Sequence, residues 1–557
     1  MNRFFRLLAF GYFPKEVPPV FWTGDFAKSV GRAQPQLASI LSKKWSKPCA
    51  YLLQQRARYR RPLSIPNPNA FVSTAHTITT HYAAIQAKLA KSNFAVSSPK
   101  FNRKTKFFRA VGPNHSGDEL RVRKLGLRAS FPYIVRFDIK NFYRSVYTHS
   151  IEWAVVGKAT AKASLSKGAP GNPGKDLDTA VRMGQDGQTI GIPVGPDTSF
   201  LIAETILAAI DDRLGFDRKC ALRFYDDYEV GAASEGEAEE ILHQAESAFA
   251  EYELELNPDK SHVLKSSGDL NSSWRLQIKA ATKERPRRPE DAVDLFSLAS
   301  SLARQNHEDF VLGYFLRRMR MFVLPKPLWG VWQQILMATA IAEYGALRGI
   351  YEQLDLYERI GYRVNKTQLR DVLLQKAKRE LRGSVSSELS WILFGFLKFG
   401  LVVDAQLIAD VLTRGDDVSR ILALKLAAAK KLSIKAKVRQ LLAQLGPVGP
   451  HSEHWLLFWE MYRNGWAPSA ALQSALTVEP IFAHLDKEGV SFLRDPGVDL
   501  LEIPAPFQDA IDKLHGAGEV SRIEEEIKKT FADTSQELPG AKEEAEEEDE
   551  AEEEVEY

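Results

Sequence analysis

The chain has 557 residues, 44% of them hydrophobic and 26% charged; these ordinary globular proportions exclude global disorder and collagen- or mucin-like classes and suffice for two to four domains. Its two cysteines, Cys49 and Cys220, exclude a disulfide framework and a Cys-x-x-Cys zinc site and fit a reducing, cytoplasmic setting, and no run of ~20 apolar residues is present to span a membrane. The formal net charge of +3 is segregated: residues 541–557 hold eleven acids against one lysine, leaving +13 on residues 1–540, so the body suits a polyanion partner and the tail is either a competitor for that surface or a solubilising appendage.

Residues 1–48 form an N-terminal extension rich in aromatics and proline. Its opening MNRFFRLLAF is basic and apolar, but the apolar run is too short for a secretory leader, and GYFPKEVPP follows where small residues would mark a cleavage site. Pro14, Pro18 and Pro19 predict an extended segment over Tyr12–Val20, because each proline pushes the preceding residue out of the helical region. Residues 49–285 are mixed. Strand-like Tyr133–Asp138 and Ala221–Val230 alternate with helix-period Ser199–Arg213 and Glu235–Tyr252, and Ser164–Asp176 is a Gly/Pro loop. Over residues 286–535 only helix-period segments follow, among them Glu290–Arg304, Leu328–Tyr344, Lys366–Arg382, Ser386–Lys398, Val418–Lys431 and Ile434–Leu445, with breaks at Gly400, Gly415 and Gly446–Pro450. Stacked helix pairs of a HEAT-like, all-α helical-repeat domain are expected here, with a compact bundle as the alternative because no strict repeat length recurs. Residues 536–557 hold too little apolar surface to offset the cost of ordering and are expected to be a disordered acidic tail.

Two acidic strand ends carry the chemistry. Asp138 closes the apolar run VRFD, and Asp226–Asp227 sit in the aromatic stretch RFYDDY. Carboxylates so placed are costly to bury unless a cation compensates. Two Mg²⁺ ions ~3.5–4 Å apart would do so and suit in-line phosphoryl transfer, and Mg²⁺ needs only one or two carboxylates besides phosphate and water. Either element alone reads equally as an ordinary turn. Between them lies QTIGIPVGPDTS (188–199), a tight turn before a helix, with Asp197, Thr198 or Ser199 as cap and backbone N–H groups, Gly195 included, free to face a nucleotide.

In order along the chain, these motifs resemble those of a reverse transcriptase. FDIKNFY resembles the palm motif with the first metal aspartate, GIPVGPDTS the turn-helix under the nascent pair, FYDD the Y-x-D-D hairpin, LELNPDKS (254–261) the motif that follows, and RRPLSIP (60–66) the fingers motif. Five motifs in order are far more specific than any one. The resemblance implies an α/β right-hand polymerase with fingers and palm over 49–285. It implies Asp138, Asp226 and Asp227 as the catalytic, metal-holding carboxylates for two Mg²⁺ (Mn²⁺ as the alternative). It implies Arg61 on the triphosphate, Tyr143 as a steric gate selecting dNTP, and Lys260 beside the leaving pyrophosphate. Tyr143 also reads as a core residue, and Lys260 as a solvated turn lysine. Val194 stands where many of these enzymes have Gln, and no VTG segment of the retron type occurs. The apolar GIPVGPDTS, Tyr147–Ser150 (YTHS) and GYFPKEVPPVF resemble the bacterial defence-associated, abortive-infection (Abi-like) reverse transcriptases. Several of those carry a C-terminal helical-repeat domain in place of a thumb.

That subgroup implies phage defence through DNA synthesis, untemplated or templated, sometimes primed by a protein tyrosine. Tyr12, Tyr51 and Tyr59, upstream of the fingers motif, are the priming candidates. Expected partners are dNTP, a single-stranded DNA product, a template RNA in the templated case, and a second copy of the chain; no membrane is expected. The alternatives are a templated polymerase acting with a partner RNA or second polymerase, and a nucleic-acid-binding scaffold with an inactive centre. Arg109, in KFFRA with Phe107 and Phe108, and the run RVRKLGLR (121–128) read either as the lining of a nucleic-acid channel or as a solvated basic face. His149 reads as a hydrogen-bonding residue rather than a base.

Overall fold

A computed structural model describes residues 1–54, 59–102, 109–165, 172–266, 272–307, 309–383 and 385–515. Phe107, Phe108 and the acidic tail lie outside these residues. The chain forms two compact units, Met1–Leu270 with Lys376–Val498, and Asn271–Gln375 with Asp499–Tyr557. These units do not follow a division at residue 285. The helical stretch splits, and Lys376–Val498 packs into the unit that holds the palm.

In that first unit, strands β1 (Cys49–Gln54) and β2 (Arg60–Ile65) form an antiparallel hairpin, and β3 (Pro99–Phe101) pairs with β4 (Val111–Pro113). A four-stranded antiparallel sheet follows. It is built from β5 (Tyr133–Asp138), β6 (Ala221–Phe224), β7 (Asp227–Ala232) and β8 (His262–Lys265), in the order β6-β7-β5-β8. Side chains alternate between the faces of a strand, so cross-strand rows separate the two faces. On one face, Ile134, Leu222 and Phe224 are buried with Val96, Leu120 and Leu127. On the other, Phe137 stacks on its cross-strand neighbour Tyr228 at 4.8 Å and meets Phe249 of the helix Glu235–Ala250. Both faces of β5 are covered, as its near-continuous apolar run requires.

The N-terminal extension is folded into this unit. Rather than running extended, Tyr12–Val20 makes two turns, with Val17 N–H donating to Pro14 O and Phe21 N–H to Pro18 O. A pre-set proline φ favours a turn as readily as a strand. Phe492 closes the aromatic cluster of Tyr12, Phe13, Phe26 and Trp455, with centroids 5.4–6.0 Å apart. The β1–β2 hairpin rests on the helices Ser387–Lys398 and Asp417–Ala429: Tyr51 Oη lies 2.8 Å from Ser390 Oγ, and Gln54 N–H donates to Ser387 Oγ at 3.0 Å.

The second unit is helical among its described residues, with Ser273–Ala281, Pro289–Gln305, Val311–Met319, Lys326–Ala342, Leu347–Arg359 and Ala505–His515. Trp332 anchors it, fully buried, its indole N–H donating to Gln353 Oε1 at 2.7 Å. Among the described residues no helix is long and apolar enough to cross a membrane.

Candidate active site

Asp138 ends β5 and Asp227 begins β7, and the two are direct cross-strand partners, so their side chains leave the same face of the sheet. Asp226 lies in the two-residue turn Tyr225–Asp226 that joins β6 to β7. Asp138 is 4% exposed. Its Oδ2 lies 2.6 Å from Lys260 Nζ, and its buried Oδ1 has no hydrogen-bond partner among the described residues. Burial, then the charges of Asp138 and Asp227, push the Asp226 carboxyl up to about 7. Asp227 is raised by burial and Asp138, with Lys260 and Lys124 opposing. Burial alone would lower the Lys260 ammonium, but its hydrogen bond and ion pair with Asp138, joined by Asp227 and Asp226, outweigh that and raise it.

Three carboxylates facing one lysine, with a buried oxygen left over, form a donor set with too little positive charge. It fits a hard divalent cation, which takes oxygen ligands and compensates buried carboxylates. Among the described residues no group of three or more His, Cys, Asp and Glu is placed to hold a metal ion, so an ion here would have to draw further ligands from phosphate and water.

A buried network behind the turn sets its shape. Tyr225 has φ +54°, a left-handed conformation that costs a non-glycine residue energy and persists only when its surroundings enforce it. Both of its backbone groups are held. Arg223 Nη1 donates to Tyr225 O at 2.9 Å, and Tyr225 N–H donates to Ser97 Oγ at 2.8 Å. Ser97 in turn donates to Glu204 Oε1 at 2.9 Å, while Arg223 binds Glu204 Oε2 at 3.0 Å and Asp211 through Nε at 2.9 Å. The Arg223 side chain is wholly buried. Burial pushes Glu204 up to about 7 against the pull of Arg223 and Ser97. The sequence contained the signal for this network: one arginine in the apolar strand ALRF, and Glu204 and Asp211 on one face of the apolar helix Asp197–Leu214. Charges so placed must pair.

Tyr143 follows Asn141, itself at φ +51°, on the short turn Phe142–Ser145. Burial raises its hydroxyl well above the ordinary tyrosine value. The charges of Glu204, Asp226 and Tyr225 add to the rise, and Arg61 opposes it. Tyr143 therefore lies within electrostatic reach of both the carboxylate cluster and the hairpin arginine. The strip Thr189–Ile192 runs alongside, with Ile192 N–H donating to Tyr143 O and Gly191 N–H to Val146 O, both at 2.7 Å.

Four expected site residues are otherwise engaged. Arg109 donates from Nε to Asp197 Oδ1 at 2.7 Å, from Nη2 to Gly195 O at 2.9 Å and from Nη1 to Phe13 O. With all three nitrogens so committed, it fastens the start of the helix Asp197–Leu214. Gly195, at φ +127°, accepts that bond, and a Cβ there would fall 2.5 Å from Pro14 Cγ. Close approach of the N-terminal extension explains this glycine. Tyr12 is wholly buried, stacked on Phe71 at 4.0 Å and donating to Pro66 O. Tyr51 is wholly buried against Ser390. Burial raises both phenols well above their ordinary value, and both hydroxyls are turned into the interior rather than held on an exposed segment. Tyr59 is 68% exposed. The basic run is committed to ion pairs: Arg121 with Asp118, Arg123 with Glu119 at 2.8 Å, and Lys124 and Arg128 with Glu229 at 3.2 and 2.9 Å. His149 Nδ1 lies 2.9 Å from Asp178 Oδ2.

Residues 65–285 match the family described as reverse transcriptase (RNA-dependent DNA polymerase). Over these residues the chain is similar to a reverse-transcriptase domain, the kind of domain that binds nucleic acid and dNTP. The match spans Asp138, Tyr143, Asp226, Asp227 and Lys260, and it begins just after Arg61. No curated protein matches the chain.

Proposed function

We propose that the protein is a DNA polymerase that adds dNMP from dNTP and acts in antiphage defence. The observation that carries this reading is the convergence of Asp138, Asp226 and Asp227 at one end of the sheet, beside Lys260 and with a buried Asp138 oxygen unsatisfied. Asp138 and Asp226, with support from Asp227, would hold two Mg²⁺ ions, or Mn²⁺, which would supply charge for the phosphate and lower the pKa of the attacking hydroxyl. Other roles belong to the chain itself. Lys260, kept protonated by Asp138, neutralises or protonates the leaving pyrophosphate. Arg61 offers a guanidinium fork to triphosphate oxygens. The Tyr143 ring excludes a ribose 2′-hydroxyl. The defence setting is supported by the GIPVGPDTS turn, Tyr147–Ser150 and GYFPKEVPPVF, which resemble abortive-infection enzymes. If a protein hydroxyl primes synthesis, Tyr59 is the remaining candidate of the three. The test incubates purified full-length protein with labelled dNTP and Mg²⁺, with and without an RNA template. Incorporation is expected, and label that survives phenol extraction with the polypeptide identifies protein priming. No incorporation under any of these conditions contradicts the reading.

A further inference from the structure

Lys43-Lys44-Trp45-Ser46-Lys47 links the N-terminal helices to β1. Ser46 pins it: its N–H donates to Met183 O at 2.8 Å, its carbonyl accepts from Asp186 N–H at 2.9 Å, and it is 1% exposed. Lys47 N–H donates to His451 O at 2.9 Å. On this pinned segment Trp45 stands 53% exposed. One side of its indole rests on Gly187, where a Cβ would fall 1.2 Å from Cζ3 and φ is +75°. Only glycine leaves room for this seat. The indole thus offers a large, flat apolar face to water at a fixed place, with the geometry for ring-on-ring stacking.

The surroundings indicate what stacks. Lys43, Lys44 and Lys47 are all exposed. The acids nearby are Asp186, which is exposed, and the buried Glu479, 3.7 Å from Lys44 Nζ. Ile190, three residues beyond Gly187, is 59% exposed. Five residues beyond Gly187, Ile192 is hydrogen-bonded to the backbone of Tyr143, so at most roughly 18 Å of chain separates the indole's seat from the nucleotide side of the palm. Exposed aromatics set among lysines are how proteins hold single strands without reading sequence.

We propose that Trp45 is a stacking platform for a base of single-stranded nucleic acid passing the palm, with Lys43, Lys44 and Lys47 on its phosphates. The assignment of the strand to the polymerase centre rests on the proposed function; the stacking itself does not. The test measures binding of labelled single-stranded DNA and RNA oligonucleotides to the full chain by fluorescence anisotropy, without dNTP. Trp45→Ala should weaken binding by about tenfold, the loss of one stacked base, while Trp45→Phe retains most of the affinity and both variants keep the wild-type circular dichroism. Lys43→Gln with Lys47→Gln should flatten the salt dependence. Equal affinity of wild type and Trp45→Ala, equal weakening by Phe and Ala, or no binding by wild type would each overturn the proposal. Trp45-dependent binding in a protein that incorporates no nucleotide would instead sink the polymerase reading and leave the platform standing.

Discussion

The palm sheet and the β1–β2 hairpin are both short antiparallel assemblies, yet different parts of the chain hold them. The carboxylate row and the Arg223 network draw on residues 97–260, and Arg223 reaches Asp211 and Glu204 across 12 and 19 positions. The hairpin that carries Arg61 is fixed by partners 333 and 339 positions away, Ser387 and Ser390, and by Trp455, whose indole N–H meets Ile65 O across 390 positions. The carboxylates proposed as catalytic are thus set locally, whereas the hairpin with the arginine proposed for the nucleotide is set by the C-terminal helices.

The strongest way to break this contrast is truncation. Residues 1–285 keep every proposed catalytic residue but lose Phe492, Ser387 and Ser390, which leaves the aromatic cluster around Tyr12 and the back of the hairpin open to water. This fragment should show no cooperative thermal unfolding by circular dichroism; a cooperative, active fragment would mean the hairpin needs no distant brace.

Next in size is Arg223→Ala. It strands Glu204 and Asp211 in the interior, and removing one partner of a buried pair costs about 3–5 kcal/mol. Arg223→Lys should recover much of that stability in denaturant titration. It cannot serve Tyr225 O, Glu204 and Asp211 together, so it should still lower kcat more than it raises KM.

Glu204 gives the palm a pH signature. Its folded value of about 7 lies above its ordinary 4.5, so the fold binds this proton more tightly than the unfolded chain does. The stability it contributes is complete below the ordinary value and is lost as pH rises through about 7. Melting midpoints measured between pH 4.5 and 8 should therefore fall less steeply for Glu204→Gln than for wild type.

The smallest effect belongs to the hairpin. Ser387→Ala with Ser390→Ala removes the two hydrogen bonds to the hairpin and the bond from Ser390 Oγ to Ser387 O, each worth about 1 kcal/mol. The double variant should raise KM for dNTP with little change in kcat, since it loosens Arg61 and leaves the carboxylates in place. An equal fall in kcat would show that the brace also sets the palm.

The same contrast explains what was legible. Tyr133–Asp138 forms the strand its apolar run predicts, and Asp138 and Asp227 meet because antiparallel register pairs the end of one strand with the start of the next. The helices Pro289–Gln305 and Lys326–Ala342 lie close to their periodic patterns. Tyr12 and Tyr51 are covered by residues from other parts of the chain, Phe71 and Phe492 on one and Ser390 on the other, and no local pattern around either tyrosine points to them. The surroundings of Arg109 and Gly195 were illegible for a related reason: Phe13 and Pro14 of the extension come down on them, and the turn's own residues carry no trace of that contact.

The most direct measurement is single-turnover incorporation of labelled dNTP with Mg²⁺ by wild type and Asp138→Asn, each verified as folded by circular dichroism. The amide removes the charge that balances Lys260 and any bound cation, so incorporation should vanish while the melting midpoint stays near that of wild type. Incorporation by Asp138→Asn at the wild-type rate would contradict the assignment of this carboxylate cluster as the catalytic centre.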